Sequence, residues 1–526
     1  MNKAVKHILS VSALLLTVVG AAGQSVSYGL GERMALAPDF ASERPLALVG
    51  DFHASQWSNP WMRGSNINGL RNYEVSMGHA ELETLYKGGD FRTDDDPVHE
   101  WTSGAFAEGS RTFGKVSMAG TFSFHHGVGY DMTGSMFINP AAIPVDIVEF
   151  TPGRKIRQTY TIAGGLSYEL NSHWRIGAKV DFLAANYSKL KDLRYSNFGM
   201  NFSIAPSFQY FSDDISAGMS YTFRKYSESV KAEDLGISEE IDYAFLDKGD
   251  FFGTYEAWEG SGVHLKEIGT SSFPVNQLSH SLAVQFQYRD FYTELAYSHS
   301  EGLIGERDTK WFDYPSDRVD WDLFGRYEGS MFNHYFSMRL SWDMLRNFEH
   351  VIDRTSEGGV IIVNDYARNR IAAVETFTLN PEYILSNDKL SFAVEAAISH
   401  RSSLGTQIYP FVAKRRVFTG SLRLSAIYNL PLGFELGGAM DFGGGTDRLE
   451  TSGERPASLY WHEARYNSTR EALNGPVMGG ELMLKCTFWR GMYVAVSGAC
   501  RGLLHQPSSV KGTARGETML RLGYYF

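Results

Sequence analysis

From about residue 69 to the C-terminus the chain repeats one pattern. Stretches of about 10–16 residues alternate apolar and polar side chains, joined by connections that are in turn short and long. Tyr160, Ile162, Gly164, Leu166, Tyr168 and Leu170 share one face of such a stretch, with Thr161, Ala163, Ser167 and Glu169 on the other. Beyond Asn171-Ser172-His173 the alternation resumes, with Trp174, Ile176, Ala178, Val180 and Phe182 set against Arg175, Gly177, Lys179 and Asp181. A period of two belongs to β-strands whose two faces meet different surroundings. Later pairs turn at Ser212-Asp213-Asp214, Arg289-Asp290, Asn429-Leu430-Pro431 and Arg490-Gly491.

The count comes to about 18 strands, within a range of about 14–18, an even number as single-chain outer-membrane barrels require. Short turns follow every even-numbered strand, and the long connections 228–276, 300–318, 347–370 and 443–476 fall on the opposite side. A β-sandwich alternates too, but its strands average about 5–6 residues and its connections do not sort by length. Aromatic residues crowd the short-turn ends: Tyr168, Trp174, Tyr210, Tyr288, Phe291, Tyr428, Phe488 and Trp489. Such a girdle marks the edge of a lipid-facing belt. The expected fold is all-β: a transmembrane, antiparallel up-and-down barrel over residues 69–526, preceded by a plug or periplasmic segment over 24–68.

Composition narrows the class. The chain has 53 Gly and only 16 Pro, and its mean hydropathy is −0.24, which excludes a bundle of membrane helices. A net charge of −11 gives no basic footprint for nucleic acid. The one apolar run, Ile8–Val19, follows Lys3, Lys6 and His7 and precedes Gly20-Ala21-Ala22-Gly23. At about 12 residues it is too short to span a membrane and reads as a signal peptide over 1–23, removed on export. At the other end Leu520, Leu522, Tyr524 and Phe526 share one strand face and Phe526 is last. This resembles the terminal strand read by the barrel assembly machinery. The expected location is the outer membrane of a Gram-negative bacterium, with outer-membrane lipid around the belt.

Ahead of the first strand stands Gln56-Trp57-Ser58-Asn59-Pro60-Trp61. Asn59 and Pro60 resemble the Asn-Pro-Ala element of long-chain fatty-acid-transporter-like barrels, with Trp61 in place of the Ala. Over nearly the whole mature chain the pattern resembles a family of Bacteroidota outer-membrane barrels of unassigned function. The resemblance implies fold and location, and no chemistry.

Parity assigns the lumen. Glu169, Arg175, Lys179, Asp181, Arg224, Gln285, Glu294, Arg326, Arg339, Asp343, Glu395, Arg423, Glu435, Glu481, Lys485 and Arg521 should point inward. Mixed charges inside a cylinder favour water and polar solutes, as in porins; the alternative is a set of internal ion pairs around a plug. The connection Glu228–Glu267 holds eleven acidic residues and three lysines among Tyr243, Phe245, Phe251, Phe252, Tyr255 and Trp258. It is a candidate constriction, cation or sugar site, or partner seat, set against a plain solvated loop.

Other chemistry is sparse. His125 and His126 are adjacent in a strand and so point to opposite faces; with His99, Glu100 and Asp94-Asp95-Asp96 they make a weak metal pattern, and no metal or other cofactor is expected. Ser298 points inward but His299 does not, so no nucleophile–base pair is seen, and Gly443-Gly444-Gly445 ends a strand rather than opening a phosphate-binding helix. Cys486 and Cys500 fall about 20 Å apart on neighbouring strands, beyond disulfide reach. An enzyme is not expected, and a TonB-dependent receptor would need a larger plug. Two readings stay open: a channel or transporter for a small solute, or a closed structural barrel serving a surface lipoprotein or uptake complex.

Overall fold

The computed structural model describes residues 66–72, 77–93, 95–191, 193–232, 242–258, 272–306, 309–357, 360–407, 410–505, 508–510 and 512–525. Eighteen antiparallel strands close on themselves, with three short strands added at one end. The first seven are β1 (Met77–Gly89), β2 (His99–Phe113), β3 (Val116–Ser135), β4 (Asp146–Glu169), β5 (Trp174–Lys189), β6 (Tyr195–Phe211) and β7 (Ile215–Ala232). A hairpin, β8 (Asp242–Asp247) and β9 (Phe252–Trp258), then leaves the wall. The wall resumes with β10 (Phe273–Tyr288), β11 (Phe291–Glu306), β12 (Thr309–Glu328), β13 (Asn333–Glu357), β14 (Val360–Ser386), β15 (Leu390–Gly405), β16 (Val412–Asn429) and β17 (Phe434–Ser452). After β18 (Tyr460–Trp461) and the helix α1 (Glu463–Asn474) it ends with β19 (Val477–Phe488), β20 (Met492–Leu503) and β21 (Ala514–Tyr525). β7 pairs with β10 and β17 with β19, and β1 pairs with β21 to seal the cylinder. Closure removes every sheet edge, the condition for strands to cross lipid.

The side chains sort as a barrel demands. Ile162, Leu166 and Leu482 are 46%, 53% and 71% exposed on the outside, whereas Gln285 and Arg521 inside are 0% and 2% exposed. The short-turn rim carries outward aromatics, with Trp174 packed edge-on to Tyr210 at 5.3 Å between ring centres. The terminal strand presents Leu520, Leu522 and Tyr524 outward, while Phe526 lies outside the described residues. Cys486 stands opposite Val494 and Cys500 opposite Gly480, and both thiols are free.

The wall is uneven in height, and here several sequence expectations need correction. Residues 300–318 and 347–370 are not connections. β11–β12 and β13–β14 run through them, and β13 and β14 reach 25 and 27 residues against 12 in β19, β20 and β21. About 9–11 residues cross a bilayer at a tilt, so the longest strands rise far beyond the apolar belt. Up there the polarity reverses. Phe312 and Tyr314 point inward and are fully buried, while Asp313 points outward with His350 at 2.8 Å and Arg368 at 2.5 Å. Gly443-Gly444-Gly445 likewise lies inside β17 instead of ending it, because β16 pairs with β17 on to Val412–Ser452. At the start, Ile67–Asn72 form a 3-10 turn, and the wall begins at Met77 rather than near 69.

Candidate functional site: the lumen and its two closures

At the short-turn end the lumen is crossed by the 3-10 turn. Asn66 Nδ2 donates to the Phe208 carbonyl at 2.9 Å and to Gln285 Oε1 at 3.2 Å. Asn68 Nδ2 donates to Ser207 Oγ at 3.1 Å, and Asn68 Oδ1 accepts from Ser167 Oγ at 2.8 Å. Arg175 Nη1 reaches the Asn68 carbonyl at 3.4 Å. Between the two asparagines, Ile67 fits against Gly165 and Gly177; a Cβ at Gly177 would lie 2.6 Å from Ile67 Cγ2. Inward glycines thus make the seat, and four strands supply its hydrogen bonds.

The opposite mouth is closed differently. Residues 136–145 fold inward beneath the β8–β9 hairpin, which adds to β4 through Asp146 opposite Asp247 and Val148 opposite Phe245. β9 carries the sheet on to β18, with Tyr460 opposite Gly253. The hairpin therefore bridges from one side of the mouth to α1 on the other. Beneath it Met136, Phe137, Ile138, Val145, Ile147, Leu246, Phe273, Trp311 and Tyr314 form one buried cluster. Within Glu228–Glu267, residues 228–232 end the wall strand β7, and Asp242–Trp258 form the hairpin folded over the mouth between β4 and β18.

The tip of this hairpin is strained. Phe252 N–H donates to the Gly249 carbonyl at 3.1 Å across Asp250 and Phe251, whose φ angles are +54° and +67°. That is a two-residue turn with both central residues left-handed, a geometry that favours Asn-Gly over Asp-Phe. Contacts with the wall hold it. Ser403 Oγ donates to Asp250 Oδ2 at 2.6 Å, and Arg415 Nη1 lies 3.6 Å from Asp250 Oδ1 while it grips Asp447 with two hydrogen bonds of 2.9 and 2.6 Å. Phe251 lies under the guanidinium groups of Arg415 and Arg465, 5.0 and 5.7 Å from the ring centre. Lys248 pairs with Glu349 at 2.6 Å, and Arg465 ties α1 to Asp95 at 3.2 Å. Farther along α1, burial alone would raise the Glu471 carboxyl. Hydrogen bonds from Ser508 (Oγ at 2.5 Å, N at 2.8 Å) and Ser509 (N at 2.7 Å) outweigh it and hold the pKa at about 2.

Between the closures the interior is polar and largely charge-paired. Lys179 lies 3.5 Å from Asp181, Arg339 2.7 Å from Asp322, and Lys485 3.4 Å from Glu435. Arg423 bridges Asp441 at 3.1 Å and Glu481 at 2.8 Å, with Glu395 opposite it in register. Glu169 is opposite Arg175, and Arg521 opposite Glu83. Tyr292 donates to Glu294 at 2.8 Å, and Arg326 is ion-paired with Glu328. Arg224 and Asp343 face the same space without a hydrogen-bonded partner among the described residues. Serines fill the β10–β11 wall, with Ser298 Oγ on Ser281 Oγ at 2.9 Å and Ser300 Oγ on Ser279 Oγ at 2.7 Å.

Sequence reading missed Asn66, Asn68 and the tip residues Asp250, Ser403 and Arg415. It also missed a cluster near the seam, where His79 Nε2 lies 2.8 Å from Tyr493 OH and Tyr493 donates to Glu81. Inward parity would have found Glu81 and Arg415; nothing periodic marks the asparagines. The histidines do not converge. His125 points inward to Glu83 at 3.1 Å, His126 outward to Gln158 at 3.2 Å, and His99 stacks on Tyr130. Among the described residues no three His, Cys, Asp or Glu side chains could hold a metal ion together. Asp94, Asn59 and Pro60 lie outside those residues.

Residues 68–526 match a family model described as a family of unknown function, DUF6850. No curated protein matches. Among solved structures, the ferric-catecholate import receptor Fiu from E. coli K12 shares 7% identity over 86% of this chain and 82% of its own, with a TM-score of 0.41. OpdK from Pseudomonas aeruginosa, solved with vanillate, shares 13% over 86% and 99%, with a TM-score of 0.33. Such distant likeness goes no further than the barrel.

Proposed function

The chain belongs to the DUF6850 family, whose description assigns no activity, and from the geometry we propose that it is an outer-membrane channel or transporter for a small polar solute, closed at rest by its own segments. The observation that carries this reading is the chamber between the closures. It is lined by serines and charge pairs, with Arg224 exposed inside the wall opposite Ser203 and Ser279 and Asp343 opposite Arg318. A charged side chain left exposed inside a closed wall, as Arg224 is, belongs to a space that water or a polar solute enters, because a dry interior makes such a charge costly. The apolar belt and the terminal Leu520–Tyr524 face support export, handling by the barrel assembly machinery and insertion in a Gram-negative outer membrane. A fatty-acid substrate has only Asn59 and Pro60 behind it, and a greasy solute fits this lining poorly. No catalytic role is proposed.

One observation favours the second reading, a closed barrel partnering a surface lipoprotein or uptake complex: the buried cluster under the hairpin is as apolar as a domain core. Reconstitution of the native chain into planar bilayers separates the two. Discrete conductance steps, made larger by removing the hairpin Asp242–Trp258, support the channel. A lumen that stays silent with the hairpin removed and Asn66 and Asn68 replaced by alanine contradicts it.

A further inference from the structure

On the outside of β15–β17, just past the apolar belt, stands a cross-strand pair that a sheet alone disfavours. Tyr428, Leu422 and Phe418 are exposed along the outward face of β16, and Arg416 follows two residues beyond Phe418. The register sets Arg416 opposite Arg448 of β17. Side chains so placed have Cβ atoms about 4.5–5.5 Å apart, and like charges there repel. Both arginines are exposed, and neither has a hydrogen bond or ion pair with a described residue.

The neighbours do not neutralise them. Ser402 of β15 is opposite Arg416 on its other side, and Lys414 is opposite Glu450. Glu375, the next outward carboxylate in that row, accepts from Trp342 Nε1 at 2.8 Å. Arg346 of β13 adds a further exposed cation in line with Lys414 through Ala373 and Leu404. Two strand residues, tilted as barrel strands are, raise Arg416 and Arg448 about 5 Å above Phe418. That is headgroup depth.

We propose that Arg416 and Arg448, with Lys414 beside them on β16, bind the phosphate of an anionic lipid headgroup in the outer leaflet, with Phe418 and Leu422 beneath against its chains. The guanidinium fork matches phosphate oxygens two at a time, and an anion between the two forks turns their repulsion into a clamp. The inference rests on the membrane placement proposed above.

The test uses the full purified chain in detergent, native and as the double variant Arg416→Gln/Arg448→Gln. The probes are bis-phosphorylated lipid A, the same lipid dephosphorylated, and inorganic phosphate. The native chain should bind the phosphorylated lipid at least tenfold more tightly than the dephosphorylated one, and the double variant should bind both alike. Without lipid the variant should melt higher than the native chain, since the repulsion is gone; with lipid A the order should reverse. Equal native affinity for the two lipids, equal affinity of native and variant for lipid A, or loss of lipid to an equimolar amount of inorganic phosphate would overturn the lipid site. A chain that stays soluble without detergent would instead overturn the membrane placement.

Discussion

The two ends of the lumen are shut by opposite chemistry. At the short-turn end a single turn, Ile67–Asn72, is held by polar groups with one apolar side chain, Ile67, in a glycine seat, so leaving it would mainly exchange hydrogen bonds to protein for hydrogen bonds to water. At the far mouth, residues 136–145 and the β8–β9 hairpin bury a cluster with Phe137, Val145 and Leu246 at 2% exposure or less. Hydrogen bonds to water replace those to protein at a net loss of about 0.5–1.5 kcal/mol each, whereas exposing a large apolar side chain costs about 1.5–3 kcal/mol. The polar seat is therefore the easier of the two to open. The far mouth stays shut unless its strained tip lets go.

This contrast can be broken experimentally, starting with its strongest element. Trp311→Ala removes a buried ring from the far cluster and should cost about 3–5 kcal/mol. Protease should then cut the hairpin Asp242–Trp258 while the cross-strand barrel keeps its β-sheet circular dichroism; an intact hairpin would mean that the cluster does not hold it. Next comes the charged lining. Arg423→Gln leaves Asp441 and Glu481 facing each other, all three side chains being at most 8% exposed. The expected loss is about 3 kcal/mol in urea unfolding, partly recovered in the triple variant that also carries Asp441→Asn and Glu481→Gln. Asn68→Ala should cost less, about 1–3 kcal/mol confined to the turn. Open-state current should rise with no change in barrel melting; a lowered melting temperature would show the turn to be part of the barrel's own stability.

The smallest effect is at Glu471. Its folded pKa, about 2, lies below the ordinary carboxylate value, so its contribution is complete above about pH 4.5 and is lost as pH falls through 2. Amide exchange at Ser508 and Ser509, corrected for intrinsic rates, should accelerate across that window, and Glu471→Gln should flatten the dependence. Acceleration that persists in the variant would place the titrating group elsewhere.

How much of this was legible beforehand follows from what lipid imposes. Where strands cross the belt, each outward side chain must be apolar and each turn must alternate in length, so Ile162, Leu482 and the rim aromatics disclose the barrel. Above the belt the rule inverts: Phe312 and Tyr314 face in and Asp313 faces out. A reader following the lower pattern sees it stop, and takes the upper parts of β13 and β14, residues 347–370, for a loop. The interior list needs only parity, which sets Arg423 and Glu481 inside without showing that they touch. The closures obey no periodicity. Asn66 and Asn68 act through single hydrogen bonds to distant strands, and the tip turn uses Asp250-Phe251, residues that do not announce a left-handed hairpin.

The contact between Asp250 Oδ2 and Ser403 Oγ, 2.6 Å, offers the most direct test of closure by the chain's own hairpin. In a Cys486→Ser/Cys500→Ser background, Asp250→Cys and Ser403→Cys should form a bond that fixes the tip to the wall. Single-channel current across a planar bilayer, recorded before and after reduction, should be silent while the bond is intact and show discrete steps once it is broken. Steps of equal size and frequency in both states would contradict the account.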